Sequence, residues 1–427
     1  MLALGMWRVM KGNNWRSLLP EDDAQWNPSK LVSICIPCRN PSDNLSHILR
    51  GISFQSYPQE LIEVIIADDG SADPVRITEK YPFPVKVLRL ERTLDFGAGR
   101  ARNAAARFSH GEILIFLDSD VIPERQVIEA YARWFELRDD VVPMGLINFV
   151  AADNFSDTIF EDVFKCGSPS SYFSGQEIDE QTWREYVFER TDELTIEDSG
   201  AFRIVVGATL AISRRQFDEV GGFRELGLRG IEDTEIGFRL HLNGAILIID
   251  RLARHWHRGT RNISGKQRDA IMHAREPFIC RLIPHSRYRG EPPDQFSGPI
   301  HTVPRALVYL ADVSTSDAVS PEIHTLRNGL PNDYVVLCED ETHVDPICSF
   351  VPCLATVRIA EGTQVSATII EKMLDLIEKR SVGEVRGISE AGEVLVTATM
   401  TRAMRRELHD GLPIADSFGV WYITLED

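Results

Sequence analysis

Short apolar runs recur along the first two thirds of the chain, and several stop abruptly at polar or acidic residues. LVSICIPC (31–38), LIEVIIADDGS (61–71), PVKVLRL (84–90) and ILIFLDSD (113–120) each read as a strand, most of them without polar alternation. Between them, LSHILRGISFQ (45–55) carries helical spacing, and the Ala-rich ARNAAARF (101–108) reads as a helix that stops at Gly111. Asp73 before Pro74 has the form of an N-cap with proline at the first helical position. Short apolar strands alternating with helices predict parallel pairing and an α/β sheet.

Further on, FRIVVGATLAISRR (202–215) again has strand character. A helix is predicted from about Glu232 to Asn243, stopped by Gly244. AILIID (245–250) then forms a strand leading to RHWHRG (254–259). Residues 151–203 lack a period and are acidic, aromatic and broken by Ser and Gly. A long irregular stretch of this kind is expected to be either an active-site lid, which would also help to form the acceptor site, or disordered.

A Pro/Gly-rich linker at 285–300 closes a first domain of residues 31–284, after an N-terminal extension of residues 1–30. Residues 301–427 are expected to form a smaller α/β accessory domain. ALVYLADV, PEIHTLRNGL and YVVLCED read as β-α-β, SATIIEKMLDLIEKR (366–380) as an amphipathic helix, and VWYITL (420–425) as a last strand. The β-α-β start echoes the spacing of residues 32–69, and VTATMTRAMRREL (396–408) faintly echoes VGATLAISRRQF (206–217). Two readings follow. One is an unrelated accessory domain, the simpler expectation. The other is a degenerate, non-catalytic relative of the first domain, used for acceptor docking or self-association.

Composition narrows the partners. The 427 residues carry a formal charge of −18. So acidic a chain is a poor binder of nucleic acid or of an anionic membrane, because phosphate binding needs a basic face. No apolar run reaches the roughly 18 residues of a membrane span. The start, MLALGMWRVM, lacks a basic n-region and reads as a packing or partner segment. Seven scattered cysteines fit a reducing, cytoplasmic setting. Cys35 and Cys38 form a C-x-x-C, but at a strand end with Pro37 between them, so they read as strand cysteines.

The acidic strand ends carry the candidate chemistry. In an extended segment Asp118 and Asp120 would face one way, about 6.6 Å apart at roughly 3.3 Å per residue. Carboxylates at the carboxyl edge of a parallel sheet sit where ligands bind, and a hard divalent cation, Mn²⁺ or Mg²⁺, would offset their repulsion. Asp69, in Asp68–Asp69–Gly70–Ser71, could accept from a ring N–H such as uracil N3. Gly97 and Gly99 precede Arg100, Arg102 and Asn103, where backbone could approach a diphosphate and arginine offset its charge. Glu232 and Asp233 open a helix and could supply a general base. His255 and His257 flank Trp256, and one of them could complete a metal site with Asp120. Each has an ordinary counterpart: a loop D-x-D, a turn, a helix cap or a surface histidine. G-x-S-x-G, P-loop and His-Glu-x-x-His motifs are absent from the sequence.

Taken in order, SICIPCRN, IIADDGSAD, GAGRARNAAA, GEILIFLDSDVIP, VGGFRELGLRGIEDTEIGFRL and HWHRG resemble the family 2 glycosyltransferases across residues 31–260. The resemblance implies the GT-A fold, a Rossmann-like, mostly parallel sheet flanked by helices. It also implies a metal-dependent inverting transfer from a UDP-sugar to an acceptor, which stays open among peptide, glycan, lipid and natural product. By resemblance, Pro37 and Asn40 lie beside the base, Asp69 pairs with uracil N3, and Arg102 lines the nucleotide pocket. Asp118 reaches ribose or metal, and Asp120 binds metal. Asp233 is the catalytic base, with Glu232 near acceptor or sugar hydroxyls. His255 or His257, with His255 slightly preferred, adds a metal ligand. Arg229-Gly230-Ile231 stands where the family often has Trp-Gly-Gly, and Thr209 where it often has Asn, which leaves the sugar open. The rivals are a polysaccharide-chain synthase, a nucleotidyltransferase and a catalytically idle nucleotide-sugar-binding module.

Overall fold

In the computed structural model the apolar runs become the middle of a nine-stranded sheet. Its strands are β1 (Val32–Cys38), β2 (Ile62–Asp68), β3 (Val85–Arg89), β4 (Ile113–Leu117), β5 (Val121–Pro123), β6 (Val141–Val150), β7 (Glu177–Asp179), β8 (Thr209–Ser213) and β9 (Ile246–Arg258). β1, β2 and β4 are buried at every position, as parallel strands covered on both faces must be. The order is β3-β2-β1-β4-β8-β6-β9-β5, with β7 paired to β6. β1 is parallel to β2 and β4, while β8 runs antiparallel between β4 and β6. This is the mixed, parallel-rich GT-A arrangement that the motifs implied. The structure describes residues 10–19, 26–41, 44–93, 97–151, 163, 168–173, 175, 177–179, 182–226, 230–259, 270, 275, 278–288, 303–310, 334–338 and 353–425.

Four helices position the site: α1 (Asn44–Ser53), α2 (Ala98–Phe108), α3 (Val127–Phe135) and α4 (Glu232–Leu242). Gly244, at φ +86°, ends the last turn after α4 in a left-handed conformation that suits glycine. The helix expected at Asp73–Pro74 does not form. The buried Asp68 carboxylate takes the Ser71 and Val75 N–H groups at 2.9 and 3.1 Å, which fixes a loop instead. The 202–215 strand is shorter than its apolar pattern: Ala201–Ile204 is a 3-10 turn and only Thr209–Ser213 pairs. Conversely, 245–250 and 254–258 are one strand, with Met144 opposite Ile249 and Leu146 opposite Arg254 across an irregular register.

Of the segment expected to be a lid or acceptor site, 152–162, 164–167, 174, 176 and 180–181 lie outside the described residues. Its later part includes a helix, Thr182–Arg190, which puts Arg184 against the Gly145 carbonyl at 3.0 Å. Most of the 285–300 linker, the helix read at PEIHTLRNGL, and Arg229 also lie outside the described residues. Among the described residues no helix is long and apolar enough to cross a membrane.

A second, six-stranded sheet contains β10 (Ala306–Leu310), β11 (Tyr334–Cys338), β12 (Ala355–Ile359), β13 (Glu384–Ile388), β14 (Val394–Met400) and β15 (Val420–Thr424). Its order is β11-β10-β12-β14-β13-β15. Set beside β2-β1-β4-β8-β6-β9, it is the same arrangement in space and in chain order. The senses agree at every step: β10 is parallel to β11 and β12, β14 is antiparallel to β12 and β13, and β15 is parallel to β13. Two helices of this unit matter below, α5 (Ala367–Arg380) and α6 (Thr401–Asp410).

The units meet across a charged seam. Arg138 bonds Asp140 and Asp410, and Arg406 lies 3.3 Å from Asp140. The N-terminal segment threads the same seam. Asn13 donates to the Leu194 and Leu247 carbonyls, both at 2.7 Å, and Gly12 N–H reaches Ser417 O at 2.8 Å.

Candidate active site

Arg102 organises the carboxyl edge of the first sheet. It sits on α2 and is 2% exposed. Its guanidinium reaches Asp118 at 2.8 Å, Asp233 at 3.3 Å and Glu232 at 3.5 Å, and lies 5.3 Å from the centre of the Phe223 ring. One cation thus joins the end of β4 to the first turn of α4. Gly99 lets α2 approach so closely, since a Cβ there would come within 2.9 Å of the Arg224 carbonyl. Asn103 seals the contact by accepting from Phe223 N–H and donating to Phe223 O, each at 2.8 Å.

Three carboxylates share that one guanidinium, so charge is not balanced locally. Burial pushes the Asp233 carboxyl up, Glu232 adds to the rise, and Arg102 only partly opposes it; the result is about 7. Burial works against the charge of Arg102, but the acids around it more than offset this. The Gly207 backbone also serves the Asp233 carboxylate. A Cβ at Gly207 would stand 2.6 Å from Asp233 Oδ1 and 2.7 Å from Arg102 Nη1, so any side chain there would push this pair aside. No sequence signal pointed to Gly207 or Phe223, because both matter through distant neighbours.

Asp118 and Asp120 lie in a tight turn, where Val121 N–H bonds Asp118 O at 3.2 Å, and not in an extended strand end. The two acids accordingly meet different partners. Asp118 takes Arg102, whereas Asp120 Oδ2 lies 3.4 Å from His257 Nε2. Of the two histidines read as possible metal ligands, His257 is the one beside Asp120, whereas His255 packs in the core. Its ring is fully buried, Nδ1 donates to Leu146 O at 3.1 Å, and it stacks on Tyr131. Burial holds its pKa down at about 4, so it stays neutral in the core.

The base-side candidates knit two loops together. Asn40, at φ +46°, donates its N–H to Ser71 Oγ and accepts Ala72 N–H at Oδ1, each at 2.8 Å. Pro37 lies in β1 opposite Ala67. Asp69 accepts from Gly97 N–H at 2.8 Å and from Arg100 at 2.7 Å, which fixes the start of α2. Cys35 and Cys38 are buried, and burial pushes both thiols up to about 12, so they stay protonated and inert.

Among the described residues no three His, Cys, Asp or Glu side chains form a ready-made metal cage. Asp120 and His257 nonetheless offer one oxygen and one nitrogen side by side, with Asp120 41% exposed. That pair fits a hard divalent cation that takes its remaining ligands from water and phosphate oxygens.

Residues 33–192 match the model of glycosyl transferase family 2. The chondroitin synthase of Pasteurella multocida (strain Pm70) is 26% identical over 330 residues, 72% of this chain and 33% of the relative. A hyaluronan synthase of Pasteurella multocida is 24% identical over 306 residues, 66% of this chain and 30% of the relative. An uncharacterized glycosyltransferase of Haemophilus influenzae is 38% identical over 106 residues, 23% of this chain and 35% of the relative. The chain spans about a third of the length of these curated relatives. Among solved structures, S. aureus TarS 1–349 in complex with UDP-GlcNAc is 19% identical, covers 59% of this chain and 67% of that one, and gives a TM-score of 0.39.

Proposed function

We propose that this chain, whose residues 33–192 match the model of glycosyl transferase family 2, moves a sugar from a UDP-sugar to an acceptor with inversion. The observation that carries this reading is the Arg102 hub, which holds Asp118 and Asp233 at the sheet edge where ligands of open α/β sheets bind. Asp69, Asn40 and Pro37 would line the base, with a free lone pair of Asp69 facing the uracil N3–H. Asp120 and His257 would hold Mn²⁺ or Mg²⁺, which when bound offsets charge on the diphosphate. Asp233 would take the acceptor O–H proton as that oxygen attacks the anomeric carbon and the bond to UDP breaks. Glu232 would stand near acceptor or sugar hydroxyls. The test is a panel of UDP-sugars with Mn²⁺, read by thermal shift and by slow donor hydrolysis. Ligand at about 100 times its Kd stabilises by about 2.7 kcal/mol. A panel with neither shift nor hydrolysis removes the reading.

Two predictions arise from these roles. Glu232→Gln removes the neighbouring charge that helps to raise Asp233. A base works deprotonated, so the acid limb of kcat should move to lower pH. A limb that stays in place would show that Asp233 is not the group titrating. Asp120→Asn should weaken calorimetric UDP binding at least about tenfold in Mn²⁺, since even outer-shell partners of a metal site cost that much. Without metal, binding should match the unsubstituted protein. An equal loss with and without Mn²⁺ would take Asp120 out of the metal site.

A chain-extending synthase is a second reading. Two relatives that align over most of this chain are named chondroitin synthase and hyaluronan synthase. Paired UDP-sugars and an oligosaccharide primer distinguish the two, because a synthase gives products longer by many sugars and a single-transfer enzyme stops at one.

A further inference from the structure

The second sheet repeats six strands of the first in order and sense, but the Asp-x-Asp of the equivalent strand end is gone. β12 ends at Ile359 and continues as Ala360, Glu361 and Gly362, where β4 continues as Asp118, Ser119 and Asp120. What this unit retains is a helix aimed at the first. Arg402, fully buried on α6, donates Nε to Glu197 Oε1 at 2.9 Å, and Nη2 to Glu197 Oε2 at 3.3 Å and Asn13 Oδ1 at 3.1 Å. Its Nη1 donates to the carbonyls of His241 at 2.9 Å and Ala245 at 2.7 Å. Every one of these acceptors belongs to the first unit or to the N-terminal segment.

His241 lies in the last turn of α4, where carbonyls run out of intrahelical partners. Its oxygen takes one bond from Gly244 N–H at 3.1 Å and a second from Arg402. A guanidinium at this end is also favoured by the helix dipole. Packing follows the hydrogen bonds. A Cβ on Gly244 would stand 3.3 Å from Arg405 Cβ and 3.4 Å from Arg406 Cδ, so α6 rests directly on the end of α4. The other end of α4 bears Glu232 and Asp233, about 15 Å away at 1.5 Å per residue.

We propose that the C-terminal unit is a degenerate copy of the catalytic fold that braces α4, with Arg402 as the positioning residue for Asp233. The proposal rests on the reading of Asp233 as the base. Arginine is needed because its planar fork spans Glu197 and two carbonyls at once, which the single ammonium of lysine does not.

The test follows hydrogen exchange along α4 in full-length Arg402→Met, beside the kinetics of donor hydrolysis. A merely local contact would speed exchange only at residues 239–245. The brace requires faster exchange to reach Glu235–Phe238, the first bonded amides. It also requires kcat to fall about ten- to a hundredfold at unchanged donor KM, as displacements near an ångström do. Arg402→Lys keeps the charge without the fork and should lie between the two proteins in both readouts. Exchange confined to the last turn, or a folded Arg402→Met enzyme with unchanged kcat, overturns the brace. Should Arg402→Met not fold, Arg402→Lys decides, and unchanged exchange at Glu235–Phe238 overturns it. A wild-type protein that neither binds nor hydrolyses any UDP-sugar instead overturns the glycosyltransferase reading, and the exchange data still judge the brace.

Discussion

Asp233→Asn should slow sugar transfer by roughly 10²–10⁴-fold, the contribution of a positioned general base. UDP binding in Mn²⁺ should hardly change, because Asp233 sits with Glu232, Arg102 and Gly207 and not with Asp120 or Asp69. Asparagine keeps the shape above Gly207 and can still accept from its backbone. It also lowers the charge around Arg102, so the fold should hold. The measurement pairs initial transfer rates with calorimetric UDP binding. A parallel collapse of binding would mean that Asp233 serves the donor. Full activity with an alcohol acceptor would reduce Asp233 to a helix-end acid stabilised by the dipole.

Arg102→Met should cost stability as well as activity. Removing one partner from a buried ion cluster typically costs about 3–5 kcal/mol, because the remaining charge is left uncompensated. Here Glu232 is buried, while Asp118 and Asp233 are partly exposed and would be eased by water. The loss should therefore fall at or below the lower end of that range.

Its pH dependence has a definite sign. The Asp233 carboxyl is raised in the folded protein, so the folded state binds its proton more tightly than an unfolded carboxyl at about 3.9 does. Stability from this group is complete below that value and is lost as pH rises through the folded pKa, about 7. Arg102 holds the value down, so its removal extends the window upward. Denaturant unfolding at pH 5 and pH 8 should show the larger deficit at pH 8. Equal deficits would mean that packing on Phe223, not charge, is what Arg102 supplies.

Legibility differed from element to element. The carboxyl ends of β1, β2 and β4 could be read directly, because a run buried on both faces is mostly apolar and a cluster of polar residues marks its exit; the buried Ser33 and Glu63 within β1 and β2 satisfy each other at 2.7 Å. The Asp73–Pro74 helix failed for a local reason: Asp68 captured the Val75 amide that a helix would have directed elsewhere. The pairing of Asp118 with Asp120 was drawn from strand alternation, yet a turn separates their partners. His255 and His257 look alike in HWHRG. Only the neighbours distinguish them, since one ring lies under Tyr131 and the other beside Asp120.

By itself the sequence determined the strand-and-helix alternation, the acids that end β2 and β4, and the helix that begins with Glu232 and Asp233. These depend on periods of two and 3.6 residues and on side-chain chemistry, which are properties of neighbours along the chain. Only the tertiary structure decided that Arg102 joins Asp118 to Asp233, more than a hundred residues apart in sequence. It alone decided that Gly207 lies directly under Asp233 and Arg102, and that β10–β15 repeat the order and senses of β2-β1-β4-β8-β6-β9. Burial, shared charge and strand order arise from contacts between distant segments, and no local pattern encodes which segments will meet.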